Sequence, residues 1–512
     1  MGEISLSKEN VRILGDLGFQ GVAAAVVPLP GVRYNGHGLT PYDASISPLV
    51  TLDEAMKKLP RASNNKTRLE IVLRIYACLV LHSATVECSF DGADVRRRDF
   101  DNIDLGQDDC SNPLTKWSEK SLYDDVSQTL TSCILHGPKP HDKEYTALLS
   151  EAALASLALL SSRLQDLKLP LSTLIAVTAH TDPHDLWTTK FGTILAQRVL
   201  ASQIPGKRLA DFITGPVLNQ HIRVMVPSPN ASGYSAYLSE FGSIAASNLA
   251  EHEHTAAVLH WAIRMTEETN IAKHWHLFVP ALLSLAESHE TPVKVRGLRA
   301  IILFLAKCPS STIFATGIDQ LFERTILPTL LLLPTMTPEK ESVTLLELGY
   351  TAALKLASAS GNSHNFKGRR LLDALVRDGL LAGFRHASNY VLVVDVLMNY
   401  LGKVVSCLGL FSVKYLADLL DVIESVLCDP FYTDRLEGLI SATDALIVII
   451  TNCWPSCTFK PTSEQSIQNL KSRILRVACS VRRFTQYDAM DVEGTSRVAI
   501  AHDGRLQGLL IE

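Results

Sequence analysis

The stretch HLFVPALLSLAESHETPVKVRGLRAIILFL, His276–Leu305, decides the fold. Leu298, Ile301, Ile302 and Leu305 recur three and four residues apart, which places them on one face of an α-helix. Upstream, an apolar run holding Pro280 stops at Ser288-His289-Glu290-Thr291-Pro292. That cluster ends one helix and begins another, since proline is tolerated in a first helical turn, where its missing N–H is not needed. A helix with one apolar stripe must bury it, and so short a break leaves an antiparallel neighbour as the nearest cover. The unit read here is a helical hairpin.

The same grammar continues downstream. Stripes run through Leu345, Gly349, Ala352, Ala353 and Leu356, through Val394, Leu397, Met398, Leu401 and Val405, and through Leu416, Leu419, Leu420, Ile423, Val426 and Leu427. Between them lie Pro309-Ser310-Ser311 and Pro334-Thr335-Met336-Thr337-Pro338, where Thr337 is placed to cap a helix that has Pro338 at its first position. Val279-Pro280-Ala281-Leu282-Leu283 matches Leu327-Pro328-Thr329-Leu330-Leu331 with proline in the same place, and Val295-Arg296 is read as opening the second helix of the first pair. Helix pairs thus recur every ~40–50 residues, the period of HEAT and armadillo arrays. The expected fold is all-α, a HEAT/armadillo-like helical-repeat solenoid. Residues 251–483 are assigned to the regular array, 1–250 to a less regular helical region, and 484–512 to a tail with a small hairpin around Asp503-Gly504.

In the N-terminal region Leu69, Val72, Leu73, Tyr76, Leu79 and Val80 form a helical stripe, and Leu148 to Leu164 and Thr189 to Leu200 read as helices. Residues 82–117 are acidic, contain Asn and Gly, and carry Arg96-Arg97-Arg98; they read as a flexible insertion, and 21–48 as loop.

At 512 residues the chain is too long for one compact core, so it must divide into domains or stack as repeats. Hydrophobic residues make up 47% and aromatics only 7%, which suits helix-on-helix packing. With 48 basic against 53 acidic residues there is no long-range field to gather phosphates, and no nucleic-acid partner is expected. The charged start and Pro28 and Pro30 do not fit a signal peptide. Val391 to Phe411 is the longest apolar candidate for a membrane span, but Asp395 and Lys403 would each be costly at a bilayer centre, so none is read. Cysteines scattered singly, among them Cys78, Cys133, Cys407 and Cys428, read as small hydrophobes in a reducing compartment, against which the sequons at Asn65 and Asn230 weigh little.

No phosphate-binding glycine loop or dinucleotide fingerprint occurs. His252 and His254 are two apart where a zincin helix needs four, and read as a solvated helix start. His274 and His276 share that defect, and Pro183 interrupts the helix that would align His180 with His184. Cys453 and Cys457 have one residue too many between them for a redox pair, and the acidic run Asp99 to Asp109 puts Ile103 and Leu105 where a calcium loop needs oxygens. No catalytic residue, cofactor or metal is assigned, and a binding scaffold is preferred to an enzyme. The alternatives are another HEAT adaptor, for nuclear transport or tRNA-methyltransferase regulation, and a helical enzyme with a diffuse site.

Residues 274–358 resemble the Tti-two (Tel-two-interacting protein two) family, in a fungal form. The resemblance rests on Pro280, on Val295-Arg296-Gly297, on Gly317 leading to Leu321-Phe322-Glu323, and on Pro328, Pro334 and Pro338. It implies a scaffold subunit of the TTT complex with Tti-one and Tel-two. That complex works with the ninety-kilodalton heat-shock chaperone and its R2TP adaptor to mature the kinases related to phosphatidylinositol 3-kinase. It implies contact with Tti-one through the C-terminal half, placed here within 371–481, no catalytic residues, and a cytoplasmic location with the nucleus as a second site.

Overall fold

The computed structural model describes residues 52–62, 64–73, 75–76, 120–134, 143–163, 168–223, 249–360, 366–429, 436–459 and 472–473. Among them every regular element is helical, and the architecture is an all-α helical solenoid. The insertion expected at 82–117, the loop at 21–48, the hairpin near Asp503, Asn230 and Cys78 lie outside the described residues. The chain divides into two compact units, Met1–Thr266 and Glu267–Glu512.

The first unit holds α1 (Leu52–Lys58), α2 (Lys120–Ile134), α3 (Lys143–Arg163), α4 (Leu171–Thr178), α5 (Lys190–Gln203), α6 (Gly206–Phe212) and α7 (Leu249–Met265). A π-helical stretch, Ile213–Ile222, follows α6 and contains Pro216. Here α2 packs on α3 and α4, α3 on α5, and α4 on α5 and α7. Helix α3 is covered over most of its surface, and the Ser156 hydroxyl donates to the Ala152 carbonyl and the Ser161 hydroxyl to the Ala158 carbonyl, each at 2.9 Å. Asn65 is buried and its amide donates to Thr146 Oγ1 on α3 at 3.0 Å, so the Asn65 sequon is closed to a modifying enzyme in the folded chain.

The second unit is a double layer of helix pairs. Its elements are α8 (Glu268–Glu287) with α9 (Thr291–Lys307); α10 (Ser310–Thr316) and α11 (Ile318–Ile326) with α12 (Glu339–Ala359); α13 (Phe366–Ala374) and α14 (Ala382–Ala387) with α15 (Val391–Leu408); and α16 (Leu416–Leu427) with α17 (Leu436–Phe459). A 3-10 turn, Leu327–Leu331, prolongs α11, and a π-helical stretch, Leu375–Leu381, joins α13 to α14. The second helices pack in order, α9 on α12, α12 on α15, α15 on α17. The first helices do the same, α8 on α11, the 3-10 turn on the π stretch, and that stretch on α16. Each pair therefore buries its stripe on the next, which is how a solenoid builds a continuous core.

Pro280 and Pro328 each stand eleven residues before the next long helix begins, at Thr291 and at Glu339. Their local settings differ. Pro280 lies inside α8, which also bends at His274, whereas Pro328 opens the 3-10 turn. Two expected boundaries move: α9 starts at Thr291, so Val295-Arg296 lies a turn inside it, and Pro338 itself occupies the N-cap of α12 with no side-chain cap. Glu339 and Glu341 in the first turn of α12 offset its dipole instead.

The run Val391–Leu427 is long and apolar enough to cross a membrane by length and composition. Its first helix, α15, nevertheless spends that apolarity inside the array, with Val393, Val394, Leu397, Met398, Leu401, Val404 and Val405 buried between α12 and α17. The 3-10 turn Gly409–Tyr415 then separates α15 from α16. Of the cysteines read as small hydrophobes, Cys133 is buried and Cys407 faces solvent.

Candidate interaction surface

The residues that carry the resemblance gather in the first two helix pairs, where they shape backbone and core. Gly297 sits where α9 crosses the end of α8, and a Cβ there would lie 2.5 Å from the Ala286 nitrogen. Gly317 has φ +77°, the left-handed conformation, and joins α10 to α11. Phe322 is fully buried and meets Phe304 edge-on at 5.9 Å, while Phe304 meets Phe278 at 6.2 Å, so an aromatic chain ties α8, α9 and α11. Leu321 is half-buried, and Pro280, Pro328 and Pro338 are exposed, Pro338 at the N-cap of α12, where a backbone N–H has no helical partner to lose, and Pro280 inside α8, where one is given up. The glycines, the prolines, Leu321 and Phe322 among them carry no polar side chain.

His180 and His254 are core residues. His180 is fully buried, with Nδ1 2.8 Å from Thr188 Oγ1 and Nε2 3.3 Å from the Ile134 carbonyl, and burial pushes its pKa down to about 4. His184 is exposed, so the two do not converge. His254 does not belong to a solvated helix start: it is buried and stacks on Trp187 with ring centres 4.5 Å apart. The stretch after α4 explains this, because Trp187 Nε1 donates to the Ala179 carbonyl and holds the indole under α7. A stacked, buried histidine was not legible from a His-Glu-His tripeptide. Cys453 Sγ lies 3.3 Å from Ser412 Oγ inside the second unit, and the Cys457 side chain lies outside the described residues. Among the described residues no three His, Cys, Asp or Glu side chains group as a metal site would require.

Helices α11, α13 and α16 carry a series of ion pairs of one polarity. Asp319 and Glu323 on α11 accept from Lys367 and Arg370 on α13, each at 3.1 Å. Asp373 on α13 then accepts from Lys414 at 2.8 Å, and Asp421 and Glu424 on α16 accept from Arg473. In every case the acid is on the earlier helix and the base on the later segment. An open depression of about 540 Å³ lies over Asp421, Glu424, Ser425, Cys428 and Asp429.

Within 371–481, large apolar groups reach solvent at Leu410 and Phe411, with the Arg369 guanidinium 4.3 Å over the Phe411 ring. Half-exposed Ile440, Ile447, Val448 and Ile450 continue this on α17. Most other described apolar residues of this region are used in packing one pair on the next, so the apolarity of α15 is no measure of an interface.

No curated protein and no solved structure matches the chain. The family model described as "Tti2 family" matches residues 173–434, half of its length and both compact units. The chain therefore belongs to the Tti2 family, with the general role of a helical scaffold subunit of the TTT complex that this membership carries.

Proposed function

We propose that this chain is a non-catalytic scaffold that holds Tti-one through residues 371–481 and stands with Tel-two in the TTT complex. Through that complex it serves the ninety-kilodalton heat-shock chaperone and R2TP in maturing the kinases related to phosphatidylinositol 3-kinase, in the cytoplasm and in the nucleus. The observation that carries the reading is the family match across helix pairs whose polar groups are occupied in holding the array together. Exposed Leu410 and Phe411 supply the apolar contact that an anchor of a partner helix needs.

Co-expression with Tti-one and Tel-two tests it. A stable ternary complex should elute as one species in size-exclusion chromatography, and Leu410→Glu should weaken capture of Tti-one while Arg299→Glu on α9 leaves it intact. Elution of the chain apart from both partners would overturn the reading. Retained capture by Leu410→Glu, lost instead on substitution within the first two pairs, would move the interface out of 371–481.

A further inference from the structure

We propose that the second and third helix pairs meet at an electrostatically latched joint, the place where the second unit opens first. Four observations fall on this one junction. The first is a cavity of about 70 Å³ lined by Phe314, Asp319, Ser360, Lys367 and Leu371 among others. The second is a pair of buried oxygens without a hydrogen-bond partner, Asp319 Oδ1 beside that cavity and Tyr350 Oη on α12.

The third is the π-helical stretch Leu375–Leu381, against which the phenol presses: a Cβ at Gly379 would lie 3.0 Å from Tyr350 Oη. A π turn interrupts the regular hydrogen-bond ladder and is a common point of local rearrangement. The fourth is what closes the junction, the ion pairs Lys367–Asp319 and Arg370–Glu323, the latter touching both carboxylate oxygens at 3.1 Å. Arg370 is 63% exposed, so dissolved salt reaches it.

The preceding junction is built otherwise, with Phe278, Phe304 and Phe322 in contact and the Thr325 hydroxyl donating to Glu287. Opening the second joint lets water reach Asp319 Oδ1 and Tyr350 Oη, which lowers the cost of opening there, and the two charged pairs are what opposes it. The joint is therefore compliant and sensitive to ionic strength, whereas the aromatic junction before it is neither.

Hydrogen–deuterium exchange of the full chain tests this. Raising NaCl from about 0.05 M to about 0.5 M should speed exchange across 366–387 about fivefold and leave 291–307 unchanged. Glu323→Gln should give the same gain at low salt, and Glu323→Arg combined with Arg370→Glu should restore the slow exchange. Tyr350→Phe should slow exchange in 375–381, because the closed joint no longer buries a bare hydroxyl. Exchange across 366–387 that ignores both salt and Glu323→Gln, or that rises equally in 291–307, would overturn the proposal. Were Glu323→Gln not to fold, the salt response of the unaltered chain decides by itself.

Discussion

At residue 297 a single methyl group has no room. The backbone of Ala286 lies within 3 Å of where a Cβ would stand, and backbone cannot swing aside as a long side chain can. Gly297→Ala should therefore cost about 1–3 kcal/mol through overpacking, read as a fall in the urea midpoint of the full chain. An unchanged midpoint would mean that α8 and α9 part easily at that crossing. Sequence reasoning reached this glycine through the resemblance, which places it directly after Val295-Arg296 in the second helix of a pair. It could not reach Glu151, whose neighbours in the chain are ordinary and whose partner lies 38 residues away. The Glu151 carboxylate is buried on α3 and accepts from the Thr189 hydroxyl, which also accepts from Gly192 N as the N-cap of α5. Burial raises the Glu151 pKa and the Thr189 bond lowers it in part. The folded state thus holds its proton to higher pH than the unfolded chain does. This contribution to stability is fully present below the unfolded value of about 4.3 and is lost as pH rises through the folded value. Glu151→Gln should remove that slope, which melting curves taken from pH 4 to pH 8 would show; identical slopes would place the carboxylate in contact with solvent.

The elements were legible where period and punctuation agree. Helices α9, α12, α15 and α16 carry the stripes read from Leu298, Leu345, Val394 and Leu416 onward, and these residues pack inward in the first three cases. The π-helical stretches were not legible, since they are set by which carbonyl each N–H reaches and no residue type marks them. Nor was the bend of α8 at His274, which lies more than a turn before the proline that a reader would blame. Gly317 shows what punctuation does: its φ of +77° turns the chain from α10 into α11 within one residue. A Cβ there meets nothing, so substitution is opposed by backbone strain alone. Gly317→Ala should cost about 1–2 kcal/mol, the penalty of a left-handed conformation for an L-residue, with Gly317→Asn less costly. Equal unfolding midpoints for Gly317→Ala and Gly317→Asn, both matching the parent chain, would show that the turn relaxes out of that conformation.

For the molecule as a whole, the repeat fold could be read because a stack of helix pairs writes the same apolar period again and again, while its interface could not. Contacts between pairs and contacts with a partner both ask for aliphatic residues, and only burial separates Val394, inside α15, from Leu410, which is 58% exposed. The same architecture governs how the second unit unfolds. Each pair packs on its neighbours, so cooperativity is passed from pair to pair, along the line α9, α12, α15 and α17 and along the first helices beside it. Leu346 on α12 is fully buried in the middle of that line. Leu346→Ala should cost about 2–5 kcal/mol as a cavity, and it should also weaken the coupling between the first and later pairs. Leu446→Ala on α17, equally buried but at the end of the described array, deletes the same atoms without cutting the line. Urea unfolding followed by circular dichroism should then show a shallower, broader transition for Leu346→Ala and a parallel shift for Leu446→Ala. Parallel shifts in both would mean that the unit unfolds as one all-or-none body, its pairs coupled more strongly than nearest-neighbour packing supplies.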